Sequence, residues 1–196
     1  MALLPELGHH CIAPPVHDLT QRLDRPIVLV GLMGAGKSTV GRRLAKRLGL
    51  SFVDSDTAIE DAAGLSAAEV FERFGPDDYR DGERRIVARL MDGKVRVIAT
   101  GGDAFVEPRT RELLNERAIT VWLDAPVDVL ADRTSRRDTR PLLRTKDPKS
   151  TLERLAAERH SAYSSAHVHV KSGNGAHRDV VDSIISAVEQ HLSSAG

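Results

Sequence analysis

One cysteine, Cys11, is all that the 196 residues contain, so an internal disulfide is excluded and a reducing cytoplasm is the expected setting. No apolar run approaches the roughly 18 residues that a membrane span needs. The opening stretch MALLPELGHHCIAPP has neither a basic start nor a long apolar core, so no secretory signal is expected. Neither sign of charge is in excess: Lys plus Arg and Asp plus Glu number 28 each. That balance offers no electrostatic attraction to nucleic acid or to an anionic membrane. Internal repeats and low-complexity segments are lacking too. What remains is ordinary globular composition, 41% hydrophobic and 29% charged, in a chain long enough for one domain with a real core.

Residues 1–24 carry Pro5, Pro14 and Pro15 without a clear period, and read as a loosely ordered extension before a domain at 25–196. His9, His10 and Cys11 adjoin one another there, but neighbours without further ligands read as a polar tail rather than a metal site. From Pro26 onward, strands alternate with amphipathic helices. Ile27–Val30, a strand starting at Phe52–Val53, Val95–Ala99, Ile119–Leu123 and Val168–Val170 are the predicted strands. Val40, Leu44, Ala45 and Leu48 share one face of a helix over Lys37–Leu48. Ile86, Val87, Leu90 and Met91, then Leu152 and Leu155, then Val180, Val181, Ile184, Ile185 and Val188 mark three more helices. Short apolar strands between helices predict one α/β domain with a parallel sheet covered on both faces.

Gly31-Leu-Met-Gly-Ala-Gly-Lys37-Ser38 matches G-x-x-x-x-G-K-[ST] in full, directly after a predicted strand and directly before a predicted helix. Such a loop turns successive backbone N–H groups onto phosphate oxygens, and the helix N-terminus adds partial positive charge. Lys37 can reach the β- and γ-phosphates and Ser38 can ligate Mg²⁺. The loop speaks for nucleotide binding but not for what is phosphorylated, since GTPases, ATPases and kinases share it.

Four further features bear on the acceptor. Asp54-Ser-Asp56 follows the second strand, where ligands of open α/β sheets bind; one carboxylate suits Mg²⁺ and the other a substrate hydroxyl, while a helix N-cap is an equal reading. Arg80 and Glu83, three apart, can pair and orient a guanidinium, whose fork suits a carboxylate substrate; a surface ion pair is the alternative. Gly101-Gly102 after the third strand permits close approach of a ligand, or is only a turn. The basic stretch Arg133 to Arg144 suits a lid over the phosphates, or a solvated loop.

GLMGAGKSTVGRRLA, FVDSDTAIE, YRDGERR, ATGG, DTRPLL and ERHSAY, in this order between about residues 27 and 170, together resemble the shikimate kinase family. The resemblance implies a three-layer α/β sandwich around a five-stranded parallel sheet, a P-loop NTPase fold of the nucleoside monophosphate kinase type. It also implies a lid at about 137–150 and a substrate-binding segment at about 55–83. By the same resemblance, ATP is held by Gly34, Ala35, Gly36, Lys37, Ser38 and Thr39, with Arg133 on adenine and Arg140 from the lid. Shikimate is held by Asp56, Arg80, Gly102 and Arg159, the two arginines gripping its carboxylate. Mg²⁺ is held by Ser38 and, through water, Asp54; Lys37, Asp56 and Arg140 are the expected catalytic groups. The expected product is shikimate 3-phosphate, made by a monomer with no macromolecular partner.

The chain departs from the family pattern at three places. Asp103 stands where a third glycine is usual, Gly75-Pro76 replaces Gly-Glu, and Ser161-Ala162-Tyr163 replaces Pro-Leu-Tyr. Asp103 is expected to strain a backbone suited to positive φ and to bring negative charge near an anionic substrate, lowering activity or affinity; a second Mg²⁺ carboxylate is the opposite expectation. Two other functions compete: another small-molecule kinase such as a gluconate or nucleoside monophosphate kinase, and a nucleotide-binding module without turnover. Two arginines for one carboxylate speak against a neutral substrate, and Asp103 alone speaks for lost turnover.

Overall fold

The computed structural model describes residues 16–135 and 147–194. Five parallel strands, β1 (Ile27–Val30), β2 (Phe52–Asp54), β3 (Val97–Ala99), β4 (Ile119–Asp124) and β5 (Val168–Lys171), form one sheet in the order β2-β3-β1-β4-β5. Four apolar residues suffice for β1 because it is the central strand, and Ile27, Val28, Leu29 and Val30 are all fully buried. At the edge, β5 alternates buried Val168 and Val170 with exposed His169 and Lys171, since only one of its faces is covered.

Eight helices lie among the described residues: α1 (Val16–Arg22), α2 (Lys37–Leu48), α3 (Ser55–Ala63), α4 (Ala67–Leu90), α5 (Pro108–Arg117), α6 (Val127–Ser135), α7 (Pro148–Tyr163) and α8 (His177–Ser194). Their termini follow local chemistry. Asp54 caps α3 by accepting from the Asp56 N–H, Ser66 and Glu69 form a reciprocal capping box on α4, and Asp147 caps α7 ahead of Pro148. Within α4 the chain breaks at Gly75, whose φ of 82° and ψ of 174° are followed by Pro76, a residue without an N–H to continue the ladder. This break re-aims the second half of α4, which carries Tyr79, Arg80 and Glu83.

The structure corrects the reading of residues 16–24 as loosely ordered. α1 packs on both α2 and α8, placing Leu19 and Leu23 in the core at 1% and 6% exposure. Leu19 inside the helix and Leu23 just past its end, whose N–H donates to the Leu19 carbonyl, form one apolar stripe, and burial of that stripe holds the short helix in place. The Thr20 hydroxyl also donates to the Leu48 carbonyl at the end of α2. His9, His10 and Cys11 lie outside the described residues. So do Arg140 and most of the expected lid, of which residues 148–150 form the first turn of α7.

Candidate active site

All the candidate groups that the structure describes stand at or near the carboxyl ends of β1, β2 and β3 or the helices beside them. The phosphate loop leaves β1 with φ values of 133° at Gly31, 82° at Gly34 and 95° at Gly36, and enters α2 at Lys37. Side chains cannot follow that path, so the loop is necessarily rich in glycine. Lys37 is buried, and its Nζ donates to the carbonyls of Gly31 at 2.7 Å and Leu32 at 3.0 Å. Its charge is thereby held at the mouth of the loop. Arg133 on α6 ties the loop to the turn after β5, donating to the Gly34 carbonyl at 3.3 Å and the Gly173 carbonyl at 2.7 Å.

Loop, β2 and α6 enclose a cleft of about 380 Å³ lined by Gly34, Gly36, Lys37, Ser38, Thr39, Asp54, Asp56, Thr100, Arg133, Thr134 and His177. The Ser38 hydroxyl donates to Asp54 Oδ2 at 2.6 Å, while Asp54 Oδ1 accepts from the Asp56 backbone at 3.2 Å. The N-cap reading of Asp54 is met, and the same carboxylate also faces the loop serine. The Ser38–Asp54 pair is made of hard oxygen donors, the chemistry that Mg²⁺ requires. Among the described residues no cluster of three His, Cys, Asp or Glu could hold a metal by itself.

Next to this cleft Gly101 and Gly102 lie among charged groups. A β-carbon on Gly101 would stand 2.7 Å from Asp56 Oδ1 and 2.8 Å from Glu83 Oε1, so the missing side chain is what lets these two carboxylates converge. Glu83 is buried at 4% exposure, and burial, then the charges of Asp56 and Asp103, push its carboxyl up to about 7, with Arg80 pulling the other way. Burial, followed by Asp56 and Glu83, likewise raises the Tyr79 phenol. Gly102 lies beside Arg159, whose Nη1 would be 3.7 Å from a β-carbon there. The Tyr163 hydroxyl donates to the Gly102 carbonyl at 2.6 Å, and burial pushes that phenol up to about 12.

Arg159 is 11% exposed and its Nη1 meets Asp103 Oδ1 at 2.5 Å, in ion-pair contact without hydrogen-bond alignment. The structure corrects one part of the expectation for Asp103, the backbone strain. No residue other than glycine has positive φ among the described residues, so Asp103 carries no backbone strain of that kind. Its carboxylate faces Arg159.

Arg80 is placed differently from the expectation. It contacts Asp77 at 3.6 Å instead of Glu83, is 62% exposed, and lines a separate depression of about 330 Å³ with Asp77, Asp78, Asp81, Arg84, Glu107 and Arg109. The structure brings Asp56, Glu83, Gly102 and Arg159 around one locus and leaves Arg80 at its outer side. Four contributors escape the sequence reading. Thr100, Thr134 and His177 line the cleft, and Ser172 supports the loop by donating to the Ala35 carbonyl at 3.1 Å. Thr100 and Ser172 directly follow β3 and β5, and strand ends were the one available signal.

A parallel α/β sheet with a phosphate loop on its central strand, a serine–aspartate pair and a flanking arginine–carboxylate locus defines a P-loop small-molecule kinase. The family model described as shikimate kinase matches residues 33–189. The chain is 53% identical over 173 residues to the shikimate kinase of Caulobacter vibrioides, covering 88% of this chain and 86% of the relative. It is 50% identical over 172 residues to that of Rhodopseudomonas palustris, covering 88% and 85%. Among solved structures, a shikimate kinase from Acinetobacter baumannii in complex with shikimate superposes with a TM-score of 0.83 at 37% identity, covering 90% of this chain and 98% of the other. The chain belongs to the shikimate kinase family.

Proposed function

We propose that this protein transfers the γ-phosphoryl group of ATP to the 3-hydroxyl of shikimate, giving shikimate 3-phosphate and ADP. One observation carries this reading: the Lys37–Ser38–Asp54 cradle opens beside a locus where Asp56, Gly102 and Arg159 can address a hydroxylated acid. Loop amides and Lys37 bind the β- and γ-phosphates, and Arg133 and Thr39 contribute to the nucleotide site. Asp56 accepts the acceptor hydroxyl, orients it toward the γ-phosphorus and is placed to take its proton. Arg159 pairs with the substrate carboxylate, which fixes the ring so that one hydroxyl faces the phosphate. Ser38 and Asp54 would hold Mg²⁺, which neutralises charge on the transferring phosphoryl group when bound.

Arg80 is the second carboxylate arginine in this reading. It would reach the substrate by leaving Asp77, an exposed pair that holds it weakly. Arg140, outside the described residues, would add charge from the lid. A monomer in the cytoplasm is part of the same proposal; the single cysteine fits the reducing compartment.

Coupled assays with Mg²⁺ and ATP against shikimate, gluconate and AMP test the assignment; turnover confined to shikimate is expected, and preference for either other acceptor would refute it. Lys37→Ala should lower kcat by at least about a hundredfold. Arg159→Ala should chiefly raise the shikimate KM, and by more than Arg80→Ala does. Equal kcat losses with unaltered KM would remove the carboxylate-clamp roles.

A further inference from the structure

We infer that Asp103 is an internal competitor for the substrate's carboxylate: its side chain occupies Arg159 until shikimate displaces it, and so sets the affinity for the acid without entering the chemical step. The inference rests on the proposed role of Arg159. Asp103 Oδ1 lies 2.5 Å from Arg159 Nη1, the same atom that borders Gly102. Arg159 is nearly enclosed, at 11% exposure, whereas Asp103 is half exposed at 53%. The guanidinium is therefore fixed in the site and the carboxylate is the partner free to leave toward water.

The backbone explains why it can leave without cost to the fold. The Asp103 carbonyl accepts from the N–H groups of Val106 and Glu107, at 2.9 and 3.3 Å, and so holds the turn that leads into α5. These bonds do not involve the side chain, and no positive φ reserves the position for glycine. The Asp103 charge also helps to raise Glu83 and Tyr79, so its field spans the locus where an acid must bind. An incoming carboxylate meets an arginine already neutralised and a like charge beside it. Both effects oppose binding of the acid. Neither acts on the phosphate loop.

Calorimetric titration of the full chain with shikimate, without nucleotide, reads the affinity independently of turnover. Asp103→Asn and Asp103→Gly should each tighten shikimate about three- to tenfold, the range that truncating one partly exposed charge pair allows. In steady-state assays the shikimate KM should fall by a similar factor, with kcat and the ATP KM within about twofold of the parent. In an Arg159→Ala background Asp103→Asn should change shikimate affinity by less than half of that factor. Melting temperatures of both Asp103 variants should match the parent, separating a fold defect from a site effect. Unchanged or weaker shikimate binding by folded Asp103→Asn would overturn the inference, as would an equal gain in the Arg159→Ala background. If shikimate binds but is not phosphorylated, the proposed function fails while the affinity ratio still judges Asp103. If shikimate binds neither the parent nor the variants, both readings fall.

Discussion

At Gly31 the backbone takes φ 133°, and a β-carbon would stand 2.6 Å from the Leu123 carbonyl oxygen. Two independent penalties meet at this residue, a conformation hostile to side chains and a collision with backbone that cannot swing aside. Gly31→Ala should destabilise the protein by about 3 kcal/mol or more and abolish nucleotide binding; denaturant unfolding and nucleotide titration read the two effects. Glu83 carries a different residue-scale signature. Its carboxyl stands near 7 in the fold against an ordinary 4.5, so between those values the folded state keeps a proton that the unfolded chain has released. Stability from this group is complete below about 4.5, declines as pH rises to about 7, and is flat above. Relative to Glu83→Gln, the parent should lose about 3 kcal/mol over that window. Parallel pH profiles of unfolding for the two proteins would show that Glu83 is not the titrating group.

None of the described side chains of helix α1 lines the cleft, yet α1 packs on α2 and α8, with Leu19 and, just past its end, Leu23 buried in the core. Leu19→Ala should cost about 2–4 kcal/mol through lost burial and the cavity left behind, with kcat/KM unaltered well below the melting temperature. A kinetic defect in the folded variant would tie α1 to the site after all. α2 joins core and cleft in one element: Val40, Leu44 and Leu48 on its apolar face are buried while its first residues, Lys37 and Ser38, line the cleft. The loop's precision is thus anchored by a buried helix. Ser38→Ala should raise the Mg²⁺ concentration needed for half-maximal rate severalfold, with shikimate KM little changed. If the Mg²⁺ requirement stayed the same, the Ser38–Asp54 pair would not be the metal's seat.

For the molecule as a whole, nucleotide binding is linked to folding because the loop that binds phosphates exists only between an assembled β1 and α2. A nucleotide held at about a hundred times its Kd should stabilise the native state by about 2.7 kcal/mol, a rise of about 5–10 °C in melting temperature for a chain of this size. Lys37→Ala should abolish most of that rise, and thermal melts with and without ATP read it directly. An undiminished rise would detach Lys37 from the phosphates.

The five strands, the helix α2 and the phosphate loop were legible in the chain itself. Buried parallel strands must be apolar on both faces, and the geometry of a phosphate cradle admits little besides glycine, lysine and a hydroxyl. Asp54, Asp56, Gly102 and Arg159 could be named from a family resemblance because their spacing along the chain keeps them at strand and helix ends. The short helix α1 was hidden by the prolines before it and became stable only through burial of Leu19 and Leu23 against elements far away in sequence. The partners of charged side chains were undetermined as well. Arg80 could face Glu83 or Asp77 with equal local sense, and in the structure it contacts Asp77. Nothing in the order of residues joins Asp103 to Arg159, 56 positions apart. Local pattern specifies elements through the backbone's few allowed shapes, but which charges meet depends on how those elements pack, and only the tertiary structure set Asp103 upon Arg159.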